Sequence, residues 1–412
     1  MKKKSTIKHA PMTQFKNRQG ELLVNGISIS QLKSKVGQTP FYAYDKSIIQ
    51  KKIQNFKQLM PSDLQLHYAI KANPMAELVN FVAEQVDGLD VASVNELNIA
   101  LNSGTQSSNI SFAGPAKRPI ELAQAVSQHI TINVESFTEL DRIFGICQQS
   151  GQNANVAVRV NPNFELKSSG MKMGGGSQQF GIDSELVPQM LKKISDYGLN
   201  FRGFHIFTGS QNLNSDSIVL AHQNIFELAT QLQQSHNQDI HSLNIGGGLG
   251  IPYFPGEKPL SLEPIAAPLE ALMKQFKNEF GETIIAMELG RYLVGDSGIY
   301  VAEVVDIKDS RGTTFALLDG GLHHHLSASG NFGQVIRKNY PVAIANKMEH
   351  PIEKTIQIVG PLCTPLDVMA NQYELPHAEI GDIVAIFQSG AYGYTASPRD
   401  FLDHPQPIEI LV

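Results

Sequence analysis

Leu64-Gln65-Leu66-His67-Tyr68-Ala69-Ile70-Lys71-Ala72-Asn73-Pro74 is the stretch on which the fold turns. Its first seven residues read as a buried strand, and the lysine and proline that follow stop it. Seven more short β-branched or aromatic runs come later, at 86–91, 110–113, 130–134, 156–160, 201–207, 242–245 and 284–288. Most of the stretches between them carry helical periodicity. Within 75–85, Leu78, Val79, Phe81 and Val82 share a face. Ser93 stands three residues before Glu96 and Ser136 three before Glu139, both as capping boxes, and Gly104 and Gly151 stand where those helices should stop. In the second helix Leu140, Ile143, Phe144 and Cys147 form the apolar face. Eight strands alternating with helices pair in parallel through right-handed crossovers. Their number and spacing predict a (β/α)8 barrel rather than the alternative, an open doubly wound sheet.

Beyond Gly290 the pattern changes. Runs at 299–307, 314–318, 355–359 and 382–387 are strand-like with few helices between them, and Ser310-Arg311-Gly312 reads as a hairpin turn, as does Asn25-Gly26. The expected organisation is an α/β chain: N-terminal strands at 1–38 that join a β-domain, a barrel at 39–290 and a C-terminal β-domain at 291–412. With 33 Lys and Arg against 39 Asp and Glu, the net charge of −6 gives no basic footprint, so no nucleic-acid partner is expected. No apolar run is long enough to span a membrane, and the basic start at Met1-Lys2-Lys3-Lys4 leads into polar residues rather than a secretory signal. Two cysteines, Cys147 and Cys363, form no disulfide framework, and a cytoplasmic location is expected.

A barrel carries its chemistry at the C-terminal ends of its strands. Strand one ends in Lys71, and a lysine desolvated there suits Schiff-base chemistry, although its head could equally reach solvent at the rim. Strand six ends in Thr208-Gly209-Ser210 and strand seven in Gly246-Gly247-Gly248-Leu249-Gly250. Glycine runs let backbone amides surround an anion, and a following helix start would add its dipole, though tight turns also use such runs. Strand eight ends in Glu288-Leu289-Gly290-Arg291, a carboxylate and a guanidinium that could also neutralise each other. Together, a lysine for an aldehyde, a phosphate cradle, an arginine and a carboxylate for a pyridinium nitrogen describe pyridoxal 5'-phosphate. His323, His324 and His325 raise a metal reading. In an extended chain only His323 and His325 share a face, no acidic partner lies at ligand spacing, and no metal is expected.

These motifs resemble the alanine-racemase-type (fold type III) pyridoxal phosphate enzymes, in their diaminopimelate, ornithine and arginine decarboxylase branch. The resemblance runs from about Thr39 to the end. It rests on Tyr68-Ala69-Ile70-Lys71-Ala72-Asn73-Pro74, Asp90-Val91-Ala92-Ser93, Gly209-Ser210-Gln211, Gly246-Gly247-Gly248, Glu288-Leu289-Gly290-Arg291, Cys363 with Asp367, and Gly390-Ala391-Tyr392-Gly393. It implies that Lys71 binds the cofactor covalently and that Ser210, Gly246, Gly247, Gly248, Arg291 and Tyr392 hold its phosphate. It further implies that Glu288 pairs with the pyridine nitrogen and Cys363 is the acid beside Cα. Asp90 and Gly290 join the cofactor site by their motifs, and Thr364 and Asp367 join the substrate site. The family forms head-to-tail homodimers in which the cysteine loop completes the neighbour's site.

The resemblance also has gaps. Diaminopimelate decarboxylases usually read Cys-Glu-Ser-x-Asp, where this chain reads Cys363-Thr364-Pro365-Leu366-Asp367. Their arginine-proline-x-leucine-tyrosine stretch is absent as well. Phe207 falls where a histidine usually stacks on the ring, with His205 two residues earlier, and which of the two faces the ring is left open. The runs 327–340, 360–367 and 387–405 are similar to decarboxylases associated with exosortase and exopolysaccharide gene clusters. Those in turn resemble decarboxylases of an aminoacyl group tethered to an acyl carrier protein, as in butirosin biosynthesis. The expected activity is removal of the α-carboxylate from an amino acid or a carrier-tethered aminoacyl group. The alternatives are diaminopimelate decarboxylation in lysine biosynthesis, amino-acid racemisation, which Glu288 disfavours, and a non-catalytic cofactor-binding homologue.

Overall fold

The computed structural model describes residues 8–164, 171–172, 174–236 and 239–412, so the basic start at Met1-Lys2-Lys3-Lys4 lies outside the described residues. Two compact units result. One holds the residues up to Lys51, Ile251–Pro259 and Val294–Val412, and the other holds Lys52–Gly250 and Leu260–Leu293.

The second unit is the expected (β/α)8 barrel. Its strands are β1 (Leu64–Ala69), β2 (Gly88–Val91), β3 (Ile110–Phe112), β4 (Thr131–Val134), β5 (Asn155–Asn161), β6 (Asn200–His205), β7 (Ser242–Gly247) and β8 (Ile284–Leu289). Each pairs in parallel with the next, and β8 closes on β1 with Glu288 opposite His67. Within β1, Leu64, Leu66 and Tyr68 are buried and alternate with the half-buried Gln65 and His67. That period-two split puts apolar side chains on one face and polar ones on the other.

Two of the helices between the strands, Val94–Asn102 and Phe137–Ser150, start where serines cap them, but both capping boxes are only half formed. Ser93 Oγ accepts the Glu96 N–H at 3.2 Å, while the Glu96 carboxylate turns to the Ala92 N–H at 2.7 Å. Ser136 Oγ accepts the Glu139 N–H at 3.0 Å, while Glu139 pairs with the buried Lys117 at 2.8 Å. A buried ammonium outcompetes a cap that water could satisfy. Gly151 ends its helix in the left-handed conformation, as expected of a C-terminal glycine.

The first unit is a β structure. Strand Gly298–Ser310 pairs antiparallel with Phe41–Tyr44, Ile383–Ile386 and Thr313–Leu318, and Ile408–Leu411 adds in parallel to Phe41–Tyr44. Asn25-Gly26 and Arg311-Gly312 have positive φ at both turn residues, the form that matches strand twist. Leu22, Val24, Ile29 and Leu32 share one core with Phe41, Ile299, Val301 and Ile383. The division therefore falls after Lys51, where the sequence reading placed it after residue 38. The reason is that Phe41–Tyr44 is a central strand of this sheet.

Among the described residues no helix is long and apolar enough to cross a membrane.

Candidate active site

At the C-terminal end of β1 the chain turns once through Ile70–Ala72, and Asn73 fixes the exit. Tyr68 Oη donates to Asn73 O at 2.9 Å, and Asn73 Oδ1 takes the Met75 N–H at 3.1 Å. This turn lifts Lys71 beyond the strand, so its side chain is exposed at the rim, one of the two placements the sequence left open. Its ammonium lies 5.4 Å from the centre of the Phe207 ring, which is itself buried. Phe207 therefore faces Lys71, while His205 lies beside Glu288. Gly290 lets the end of β8 come close to the same turn: a Cβ there would meet Ala72 Cβ at 2.8 Å and Ala69 O at 3.1 Å.

Glu288 is 5 % exposed and stands 3.2 Å from His205 Nε2. Burial pushes its carboxyl up, but His205, Lys71 and Arg159 together hold it well below the usual carboxylate range. Glu288 is thus an anion on the floor of the barrel mouth. His205 Nδ1 has no hydrogen-bond partner among the described residues. On the other side of β1, His67 Nδ1 lies 3.5 Å from Asp90 Oδ1, which also accepts the Ser111 hydroxyl. Burial works against the His67 proton, yet Asp90 and Glu288 outweigh it and raise its pKa.

The glycine run forms a backbone cradle. β7 bulges between Asn244 and Gly247, where Gly246 adopts φ +68° and Asn244 Oδ1 holds its N–H at 2.8 Å. A Cβ on Gly247 would meet Glu288 O at 1.8 Å, and one on Gly248 would meet Gly209 O at 2.1 Å, so only glycine fits. Beside it the Ser210 hydroxyl is buried with no partner among the described residues. No helix starts at this run, contrary to the expected dipole, since the next begins at Glu263. Arg291 opens the short helix Arg291–Val294 directly after β8. A buried orphan hydroxyl, a glycine cradle, an arginine, a ring carboxylate and a rim lysine are the donor set that pyridoxal phosphate requires, and the residues fit the group.

Tyr392, Cys363, Thr364 and Asp367 belong to the β unit. Tyr392 has φ +53° and its carbonyl accepts the Ser327 hydroxyl at 2.7 Å. Cys363 is exposed on the loop after Lys354–Val359, whereas Cys147 is buried in its helix, where burial raises the thiol pKa. Thr364 Oγ1 accepts the Leu366 N–H at 3.3 Å. Asp367, which the resemblance places in the substrate site, accepts backbone N–H groups of Leu322 and Leu362 with its two carboxylate oxygens. The three histidines do not run extended as expected. His324 and His325 N–H both donate to Gly321 O, a tight turn that brings the His323 and His324 ring centres to 3.6 Å. Among the described residues no group of three or more His, Cys, Asp or Glu side chains is placed to hold a metal ion.

Sequence reasoning missed the second layer of the site. Arg159 of β5 pairs with Glu135 at 2.8 Å, both buried, and Glu135 also takes the Gly114 N–H at 2.5 Å and the Gly181 N–H at 3.2 Å. The available signal was an arginine inside the otherwise apolar run Val156-Ala157-Val158-Arg159-Val160.

The family model for the pyridoxal-binding domain of pyridoxal-dependent decarboxylases matches residues 46–295, more than half of the 412-residue chain. The L-glutamyl-[BtrI acyl-carrier protein] decarboxylase of Niallia circulans is 36 % identical over 381 residues, covering 91 % of this chain and 89 % of that protein. The diaminopimelate decarboxylase of Aquifex aeolicus is 31 % identical, with 96 % and 91 % covered. Among solved structures, diaminopimelate decarboxylase of M. jannaschii with L-lysine superposes with a TM-score of 0.86 at 26 % identity, covering 97 % of this chain and 92 % of that one. By these matches the chain belongs to the pyridoxal-dependent decarboxylases.

Proposed function

We propose that this decarboxylase removes the α-carboxylate of an aminoacyl group joined to an acyl carrier protein through its side-chain carboxyl, the linkage that leaves the α-carboxylate free to depart. The observation that carries the reading is Thr364, which stands after Cys363 where diaminopimelate decarboxylases have a glutamate. Its hydroxyl serves its own loop. The 36 % identity to a glutamyl-carrier decarboxylase, against 31 % to the Aquifex aeolicus diaminopimelate enzyme, supports the same reading.

When bound, pyridoxal phosphate supplies an electron sink for the bond that breaks at Cα. Lys71 would hold it covalently, with Phe207 against its ring. Ser210, the glycine cradle, Arg291 and Tyr392 would take its phosphate. Glu288, kept anionic by the cations around it, would hold the ring nitrogen protonated, with Asp90 and His205 beside it. Cys363 would keep a proton for the substrate Cα, serving the neighbouring subunit of a homodimer.

Carbon dioxide release from free glutamate, ornithine, arginine and diaminopimelate, compared with that from a glutamyl-loaded carrier protein, tests the substrate. The carrier-bound group is expected to turn over fastest. Efficient turnover of free meso-diaminopimelate would overturn the reading.

A further inference from the structure

Asp367 stands at the base of the loop that carries Cys363. The strands Lys354–Val359 and Val368–Leu375 pair antiparallel, and residues 360–367 connect them. Asp367 is 3 % exposed. Its Oδ2 accepts the Leu362 N–H at 2.9 Å from within the loop, and its Oδ1 accepts the Leu322 N–H at 2.7 Å from the segment after Thr313–Leu318. Its carbonyl takes the Gly360 N–H at 3.1 Å. Two glycines leave room for this carboxylate: a Cβ on either Gly321 or Gly360 would meet one of its oxygens at 2.3 Å. From the other side, Asn331 Nδ2 and Arg337 Nη2 both donate to Leu366 O, at 3.3 and 3.2 Å.

From this arrangement we infer that Asp367 is a positioning residue that fastens the Cys363 loop to Gly321 and Leu322, and not a ligand of the substrate. Hydrogen bonds from backbone N–H groups to a buried carboxylate are charge-assisted and shape-specific. A single side chain thus joins both arms of the loop base to a third segment. The exposed Cys363 sits at the tip of the loop so held, next to Thr364, whose N–H donates to Leu362 O at 2.7 Å. The inference rests on the proposed function only in giving Cys363 the proton for Cα; the fastening itself stands apart from it.

The test uses the holoenzyme as wild type, Asp367→Asn and Gly321→Ala. The readouts are the rate of Cys363 alkylation by iodoacetamide, located by mass spectrometry, with the buried Cys147 as internal reference, together with cofactor absorbance, kcat and KM. Asp367→Asn turns one acceptor into a donor facing an N–H. It is expected to change the Cys363 alkylation rate and lower kcat by about tenfold or more, the worth of one hydrogen bond to a charged group. KM and cofactor content should stay within about twofold, since Asp367 acts only through Cys363. Gly321→Ala keeps the carboxylate but displaces it, and should reproduce the effect; it carries the test alone if Asp367→Asn does not fold. Unchanged alkylation in both variants overturns the inference, as does a rise in KM at constant kcat, the mark of a substrate ligand. A change in alkylation with kcat intact would keep the fastening and overturn the role proposed for Cys363.

Discussion

The Lys71 ammonium lies 5.4 Å from the centre of the Phe207 ring, and the two residues follow β1 and β6, strands that β7 and β8 separate in the barrel. An uncharged ring therefore stands beside Lys71, where the proposed cofactor site lies. Borohydride reduction of the yellow holoenzyme should abolish its absorbance band and leave the pyridoxyl group on Lys71 in peptide mass spectra. Finding it on another lysine would sink the assignment. Phe207→Ala removes a stacking partner worth about 0.5–1.5 kcal/mol, so cofactor should dissociate roughly 3- to 10-fold more readily, read by dialysis and absorbance.

Glu288 keeps its negative charge against burial because His205, Lys71 and Arg159 surround it. Glu288→Gln removes the charge and keeps the shape. The variant should still bind cofactor yet lose about 10²-fold or more in kcat, on the scale of a misplaced proton in general acid–base catalysis. Wild-type turnover in that variant would show that the ring nitrogen needs no anion here.

The barrel was legible because parallel strands announce themselves as short apolar runs at regular spacing, and all eight runs became strands. Lys71, the glycine cradle and Glu288 were legible because barrel chemistry collects at strand ends. Interactions between distant segments were not. Nothing local to Asp367 shows that its carboxylate belongs to Leu322 and Leu362, or that Glu139 abandons its cap for Lys117. The histidine turn was misread because Gly321 O takes two N–H groups, a backbone choice invisible to side-chain alternation.

Cys363 and Cys147 differ in exposure and should differ in effect. Cys363→Ala is expected to keep cofactor and lose turnover by about 10²-fold or more, the contribution of a positioned general acid. Cys147→Ala should alter stability alone. On the proposed dimer, mixing Lys71→Ala with Cys363→Ala should restore part of the activity, because one site per dimer regains both groups. Absence of complementation would argue for a site built within one subunit.

His325 is fully buried, donates to or accepts from the Ser389 hydroxyl at 2.9 Å, and burial lowers its pKa to about 3. Its depressed folded pKa means the unfolded chain takes up the proton first, near 6.5. The stability it contributes is present above that value and is lost as pH falls from about 6.5 toward 3. Each such group adds up to about 1.4 kcal/mol per pH unit to that slope. His325→Gln should therefore flatten the fall in urea-unfolding free energy between pH 6 and pH 4. An unchanged slope would show that this imidazole is not what acid attacks.

Thr364 decides how badly free diaminopimelate should fare. Its hydroxyl accepts the Leu366 N–H at 3.3 Å, and no carboxylate follows Cys363 to meet a distal ammonium. The substrate's distal carboxylate likewise lacks the arginine motif that grips it in diaminopimelate decarboxylases. Leaving a polar group desolvated and unpaired costs roughly 1–3 kcal/mol, so two such groups should lower kcat/KM by about 30- to 10⁴-fold relative to a well-paired substrate. Thr364→Glu restores a partner for the ammonium alone. It should raise kcat/KM for diaminopimelate by about tenfold while lowering it for the carrier-bound glutamyl group, whose distal carboxyl is used up in the link to the carrier and offers the new anion no cation to pair with. Parallel changes for both substrates would place residue 364 outside the substrate's reach and return specificity to another part of the chain.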